Sequence, residues 1–75
     1  LKEVSNMPLP LAPQGEEVTV RKVLTDEKER RHFENLGIIV GAKLRVLSRV
    51  GGSVIIRIHE GRLALDRNLA MKILV

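Results

Sequence analysis

The side chains best suited to chemistry are few in this chain. It holds two histidines, His32 and His59, and no cysteine. Glu29 and His32 lie three apart, so on a helix they share a face and could clamp a metal weakly. His59 and Glu60 are adjacent, so on a strand they point to opposite faces. Metal sites converge several His, Cys or carboxylate ligands, and nothing here clusters that way. Both histidines therefore read as solvated side chains, and no metal or other cofactor is expected. Ser48 falls on the inner phase of a strand and Ser53 in a loop, with no histidine near either in sequence to act as a base. The absence of cysteine excludes disulfides, thiolate zinc sites and thiol nucleophiles. Asp26, Glu27 and Glu29 gather at a helix start, where capping accounts for them. Gly37, Gly41, Gly51, Gly52 and Gly61 lie at bends and do not form a phosphate loop of the Gly-x-x-x-x-Gly-Lys-Ser/Thr type. The expectation is a protein that is not an enzyme.

The basic side chains carry more information. Thirteen Lys and Arg stand against nine Asp and Glu, a formal charge of +4. Residues 1–42 hold six basic and seven acidic side chains, and residues 43–75 hold seven and two. All the net positive charge thus lies in the second part, where five of the seven basic residues are arginine. Basicity invites a nucleic-acid reading. Aromatic content of 1%, Phe33 alone, counts against single-strand binding, which needs rings for stacking. It counts equally against an aromatic-lined groove for proline-rich peptides. Arginine is enriched at protein interfaces and lysine is not. Arg45, Arg49 and Arg57, with Leu47 and Ile55 among them, therefore read as a docking face for an acidic partner. Arg30 and Arg31 on the helix are the second candidate surface.

The elements that must position these residues follow from apolar spacing. Seventy-five residues make one domain, with residues 1–8 expected as a tail and 9–75 as the folded unit. Pro8, Pro10 and Pro13 predict an extended edge-type or polyproline segment, with Leu9 and Leu11 pointing the same way. Val18 and Val20 alternate with polar residues and predict a strand, with a bulge or strand end at Val23-Leu24. Asp26 to Leu36 reads as a helix with Phe33 and Leu36 on its buried stripe and Gly37 as its left-handed stop. Leu44, Val46, Ser48 and Val50 alternate with Lys43, Arg45, Leu47 and Arg49. Val54, Ile56 and Ile58 repeat the pattern after Gly51-Gly52-Ser53. A two-residue loop would pair Val46 with Arg57 and mix the faces. A three-residue loop pairs Val50 with Val54, Ser48 with Ile56 and Val46 with Ile58, and pattern selects it. Leu63 and Leu65 form a short strand after a turn at Gly61. Asp66 caps a helical turn over Arg67 to Ala70, and Ile73 and Val75 end in a last strand.

The fold class expected is mainly β: a small closed barrel of about five strands, one inserted helix, and a helical turn before the last strand. The predicted core is Val18, Val20, Phe33, Leu36, Leu44, Val46, Ile56, Ile58, Leu65 and Ile73. No apolar run approaches the roughly 20 residues a membrane helix needs, and no signal peptide is apparent, so a cytoplasmic location is expected.

The run Arg31-His32-Phe33-Glu34-Asn35-Leu36-Gly37-Ile38-Ile39-Val40-Gly41, followed by Lys43-Leu44-Arg45-Val46, resembles the ferrous iron transport protein A (FeoA) family. So does Gly61-Arg62-Leu63-Ala64-Leu65-Asp66-Arg67 with Ala70, Ile73 and Val75, and so does the opening Leu11-Ala12-Pro13-Gln14-Gly15-Glu16. Val40 stands where the family usually has proline, and Ala42 where it usually has Thr or Ser. The resemblance implies an SH3-like barrel with an inserted helix and no catalytic residues. It implies a small cytosolic accessory protein of bacterial ferrous iron uptake, whose partner is the FeoB permease with its cytosolic GTPase part. It also implies kinship with the C-terminal domain of iron- and manganese-dependent repressors. Two alternatives stay open: a stand-alone transition-metal-binding relative of that repressor domain, and a basic nucleic-acid-binding barrel.

Overall fold

The computed structural model describes residues 6–75. Residues 1–5 of the tail expected over 1–8 lie outside them. Six strands and two helices follow one another as β1 (Glu17–Thr19), β2 (Lys22–Val23), α1 (Glu27–Asn35), β3 (Lys43–Val50), β4 (Ser53–Ile58), β5 (Gly61–Asp66), α2 (Arg67–Ala70) and β6 (Ile73–Leu74). β1, β3, β4 and β5 form one antiparallel sheet in that order, and β2 pairs with β6 in a second. Hydrogen bonds do not close these into the single barrel expected from the strand count. Instead the chain turns a corner at Val20-Arg21. Val20 N–H donates to Ala42 O at 2.8 Å beside the first sheet, and Arg21 N–H donates to Leu74 O at 2.7 Å in the second. A strand end does fall at Val23-Leu24, as alternation predicts, since β2 stops at Val23; the corner at Val20-Arg21 is an additional break three residues earlier.

The proline-rich segment is not extended. Leu9–Leu11 make one 3₁₀ turn, with Ala12 N–H donating to Leu9 O at 3.0 Å. The turn separates the two leucines: Leu9 is fully buried and Leu11 is exposed. Proline permits this because a first helical turn needs no donor at its start. Met7 and Pro8, placed in the tail by sequence, pair with the end of the chain. Met7 and Val75 exchange two backbone hydrogen bonds, of 3.0 and 2.8 Å.

Helix α1 starts where Asp26 accepts the Glu29 N–H at 2.8 Å. It buries one side chain, Phe33. At its end Gly37 N–H bonds Glu34 O and Ile38 N–H bonds Phe33 O. With Gly37 at φ 85° this is the paired 5→2 and 6→1 closure of a Schellman motif, and both Phe33 and Ile38 are buried.

The β3–β4 hairpin corrects the expected register. Val50 pairs with Ser53, so the loop is the two residues Gly51-Gly52. Arg49 then faces Val54 and Ser48 faces Ile55, but beyond Leu47 the register slips by one, and Val46 faces Ile56. One bulged residue restores the apolar pairing that a regular two-residue hairpin would have lost. The predicted core is otherwise as read, with Val18 and Leu36 only half-buried. Leu9, Ala12, Ile38, Val54, Ala70 and Val75 join it.

Candidate functional site

The antiparallel register builds a charged row across the large sheet. Glu17 on β1 faces Arg45 on β3, Arg45 faces Arg57 on β4, and Arg57 faces Arg62 on β5. Residues directly opposite share a face, and all four of these are exposed. Val18, Leu44 and Ile58, one position along, are on the core side, packed in or against the buried cluster. The next outward row holds Ser48, Ile55 and Ala64, with Ile55 half-buried. A recess of about 140 Å³ opens beside the arginines, lined by Glu17, Lys43, Leu44, Arg45, Arg57 and His59.

The residues expected to form the docking face divide into two groups. Arg45, Ile55 and Arg57 lie on it. Arg45 is braced, its Nη1 donating to Gly15 O at 2.8 Å. Arg49 is elsewhere: the bulge gives it the same phase as Val54. Its Nε donates to Pro10 O at 2.7 Å and its Nη2 to Ala12 O at 2.6 Å, so its guanidinium straps the N-terminal turn to the hairpin. Leu47 is the half-buried bulge residue. Arg62 was missed by sequence reasoning. Its place depends on β5 starting at Gly61, and the signal was a two-residue turn at His59-Glu60 in place of one centred on Gly61. His59 itself takes the left-handed conformation, φ 56°, so it belongs to the turn and not to a strand.

Arg30 and Arg31 are exposed on α1. Arg30 is paired within the helix, to Glu27 at 3.4 Å and Glu34 at 3.8 Å. It edges a shallow groove of about 520 Å³ with Lys22, Val23, Glu34, Ile39 and Val40. Among the described residues no three of His, Cys, Asp and Glu gather to hold a metal ion. No helix of these residues is long and apolar enough to cross a membrane.

Two small antiparallel sheets, a corner between them and one inserted helix define the class: a small β-domain of SH3-like type. Residues 7–75 match the FeoA domain model. The chain is 40% identical over 68 residues to a Methanocaldococcus jannaschii protein named for Fe(2+) transport, as transport protein A, covering 91% of this chain and 83% of that protein. It superposes on the crystal structure of an iron uptake regulatory protein (FeoA) with a TM-score of 0.83 at 25% identity, covering 95% of each chain. It also superposes on a manganese-dependent transcriptional repressor with a TM-score of 0.83 at 27% identity, covering 100% of this chain and 43% of the repressor. The chain belongs to the FeoA family.

Proposed function

We propose that this protein is an accessory component of Fe(2+) transport that docks onto the cytosolic part of a FeoB-type permease through the outer face of its large sheet. Family membership supplies the transport setting. The observation that carries the surface is the exposed arginine row with Ile55 beside it, a basic patch with an aliphatic centre. Such a patch suits an acidic partner: charge at the rim raises the encounter rate, and apolar contact at the centre holds the complex. Binding then weakens with added salt without vanishing.

The test is calorimetric titration of the permease's soluble domain with wild type, Ile55→Asn and an Arg30→Gln/Arg31→Gln double variant. A loss of about tenfold or more for Ile55→Asn, with the helix variant unchanged, supports the sheet face. The reverse pattern moves the contact to the helix. No binding by wild type at any salt or nucleotide state overturns docking to that domain.

A second reading, favoured by the repressor likeness, is a transition-metal-binding domain that acts alone. Titration with Fe²⁺ or Mn²⁺ decides it: saturable one-to-one binding supports this reading, and no heat of binding removes it.

A further inference from the structure

We infer that the arginine row is a binding site for the oxygens of a phosphate chain, a pyrophosphate unit being the ligand that fits it. Arg45, Arg57 and Arg62 stand directly opposite one another on three adjacent strands. Neighbouring strands are about 4.8 Å apart, so three guanidinium groups spring from a line about 10 Å long. Like charges facing each other across a sheet destabilise it. The offset falls on one member only: Glu17 stands opposite Arg45 and Gly15 O accepts from Arg45, while Arg57 and Arg62 have no ion-pair partner among the described residues. The ion pairs among the described residues are Arg30 with Glu27 and Glu34, and Lys72 with Glu29, and none involves the row. Glu17, opposite Arg45, makes no ion pair with it.

Three further features make the row a site. Arg45 is already held by Gly15 O at one N–H, which reduces the freedom it has to lose on binding. Lys43 and His59 border the recess next to Arg45 and Arg57 and add donors at its wall, where they and the two arginines outweigh its one carboxylate, Glu17. The recess, about 140 Å³ and open to solvent on one side, has room for phosphate groups. Guanidinium groups bind phosphate oxygens two at a time, with charge-assisted bonds about twice as strong as neutral ones.

Trp and Tyr are absent and Phe33 is fully buried, so a base finds only guanidinium planes and the His59 ring to lie against, and the charge complementarity of the row is toward the phosphates. The ligand is therefore recognised by its phosphates, whether it arrives as inorganic pyrophosphate or as a nucleotide.

This inference stands apart from permease docking, since the 75-residue chain alone suffices to test it. Inorganic pyrophosphate is titrated into wild type at low ionic strength, with amide shifts and calorimetry as readouts. The expected result is saturable one-to-one binding, with shifts concentrated at residues 43–45, 57–59 and 62. Arg57→Gln and Arg62→Gln should each weaken binding about tenfold, and Arg30→Gln should not. Without ligand, Arg57→Gln should melt no lower than wild type, because it removes a like-charge opposition. Magnesium-free ATP should bind within about threefold of pyrophosphate. No saturable shift at millimolar pyrophosphate overturns the site, as does equal weakening by Arg30→Gln. ATP binding tenfold tighter would overturn recognition by phosphate alone. Duplex DNA displacing pyrophosphate at lower concentration would reassign the row to nucleic acid.

Discussion

Gly37 meets two separate demands at one position. Its φ of 85° is a conformation that residues with a Cβ avoid, and the His59 Nε2 lies 2.7 Å from where that Cβ would stand. Gly37→Ala should therefore cost on the order of 1–3 kcal/mol, measured by urea denaturation. The two causes separate in a cycle with His59→Ala. In that background the steric part disappears and a residue of about 1 kcal/mol, the backbone part, remains. Phe33 is a simpler case: fully buried and the largest core side chain. Phe33→Ala should cost about 3–5 kcal/mol, enough to threaten a domain of this size. A variant that unfolds at the same denaturant concentration as wild type would contradict the packing. Arg49 gives a third test. Replacing it with Met leaves the Pro10 and Ala12 carbonyls without their donor, for a loss of roughly 1–3 kcal/mol. Protease sensitivity should rise first at the 3₁₀ turn.

The hairpin shows which parts of an element can be read from the sequence. Alternation placed β3 and β4 correctly, because period-two burial is written in residue type. It could not reveal the bulge. Leu47 and Ser48 are both half-buried, so hydrophobicity does not say which is the extra residue. The three-residue loop was chosen to rescue face pairing that the bulge rescues by itself. Unbroken alternation puts Arg49 on the outer face, the three-residue loop hides the pairing of Arg45 with Arg57, and the turn at His59-Glu60 accounts separately for Arg62. Helix α1 was legible for the opposite reason, since its cap Asp26 and its stop Gly37 are local signals. Deleting Leu47 should leave a regular hairpin in which Val46 still faces Ile56 and Arg49 still faces Val54. Cross-strand nuclear Overhauser effects would check this, and loss of the Val46–Ile56 contact would contradict it. The pair Lys72–Glu29, 2.9 Å, ties α1 to the start of β6. It is partly exposed, so Lys72→Met should cost no more than about 1 kcal/mol.

At the scale of the whole molecule, the two ends of the fold lie side by side. Met7 and Val75 exchange both backbone hydrogen bonds, and Pro8 bridges to Leu74. From Met7 to Val75 the chain is thus nearly a closed loop before any covalent closure. Joining Val75 to Met7 through a few glycines, with Gly51-Gly52 opened as the new ends, should give a permuted chain with the same contacts. With residues 1–6 removed, joining Val75 to Met7 without opening the chain should give a circle. A ring of this length removes on the order of 4 kcal/mol of chain entropy from the unfolded state, which a rise in the denaturation midpoint would report. The same adjacency makes the domain portable. A host chain could receive it at a single surface loop and leave again at nearly the same point, so insertion would hardly disturb the host's own path.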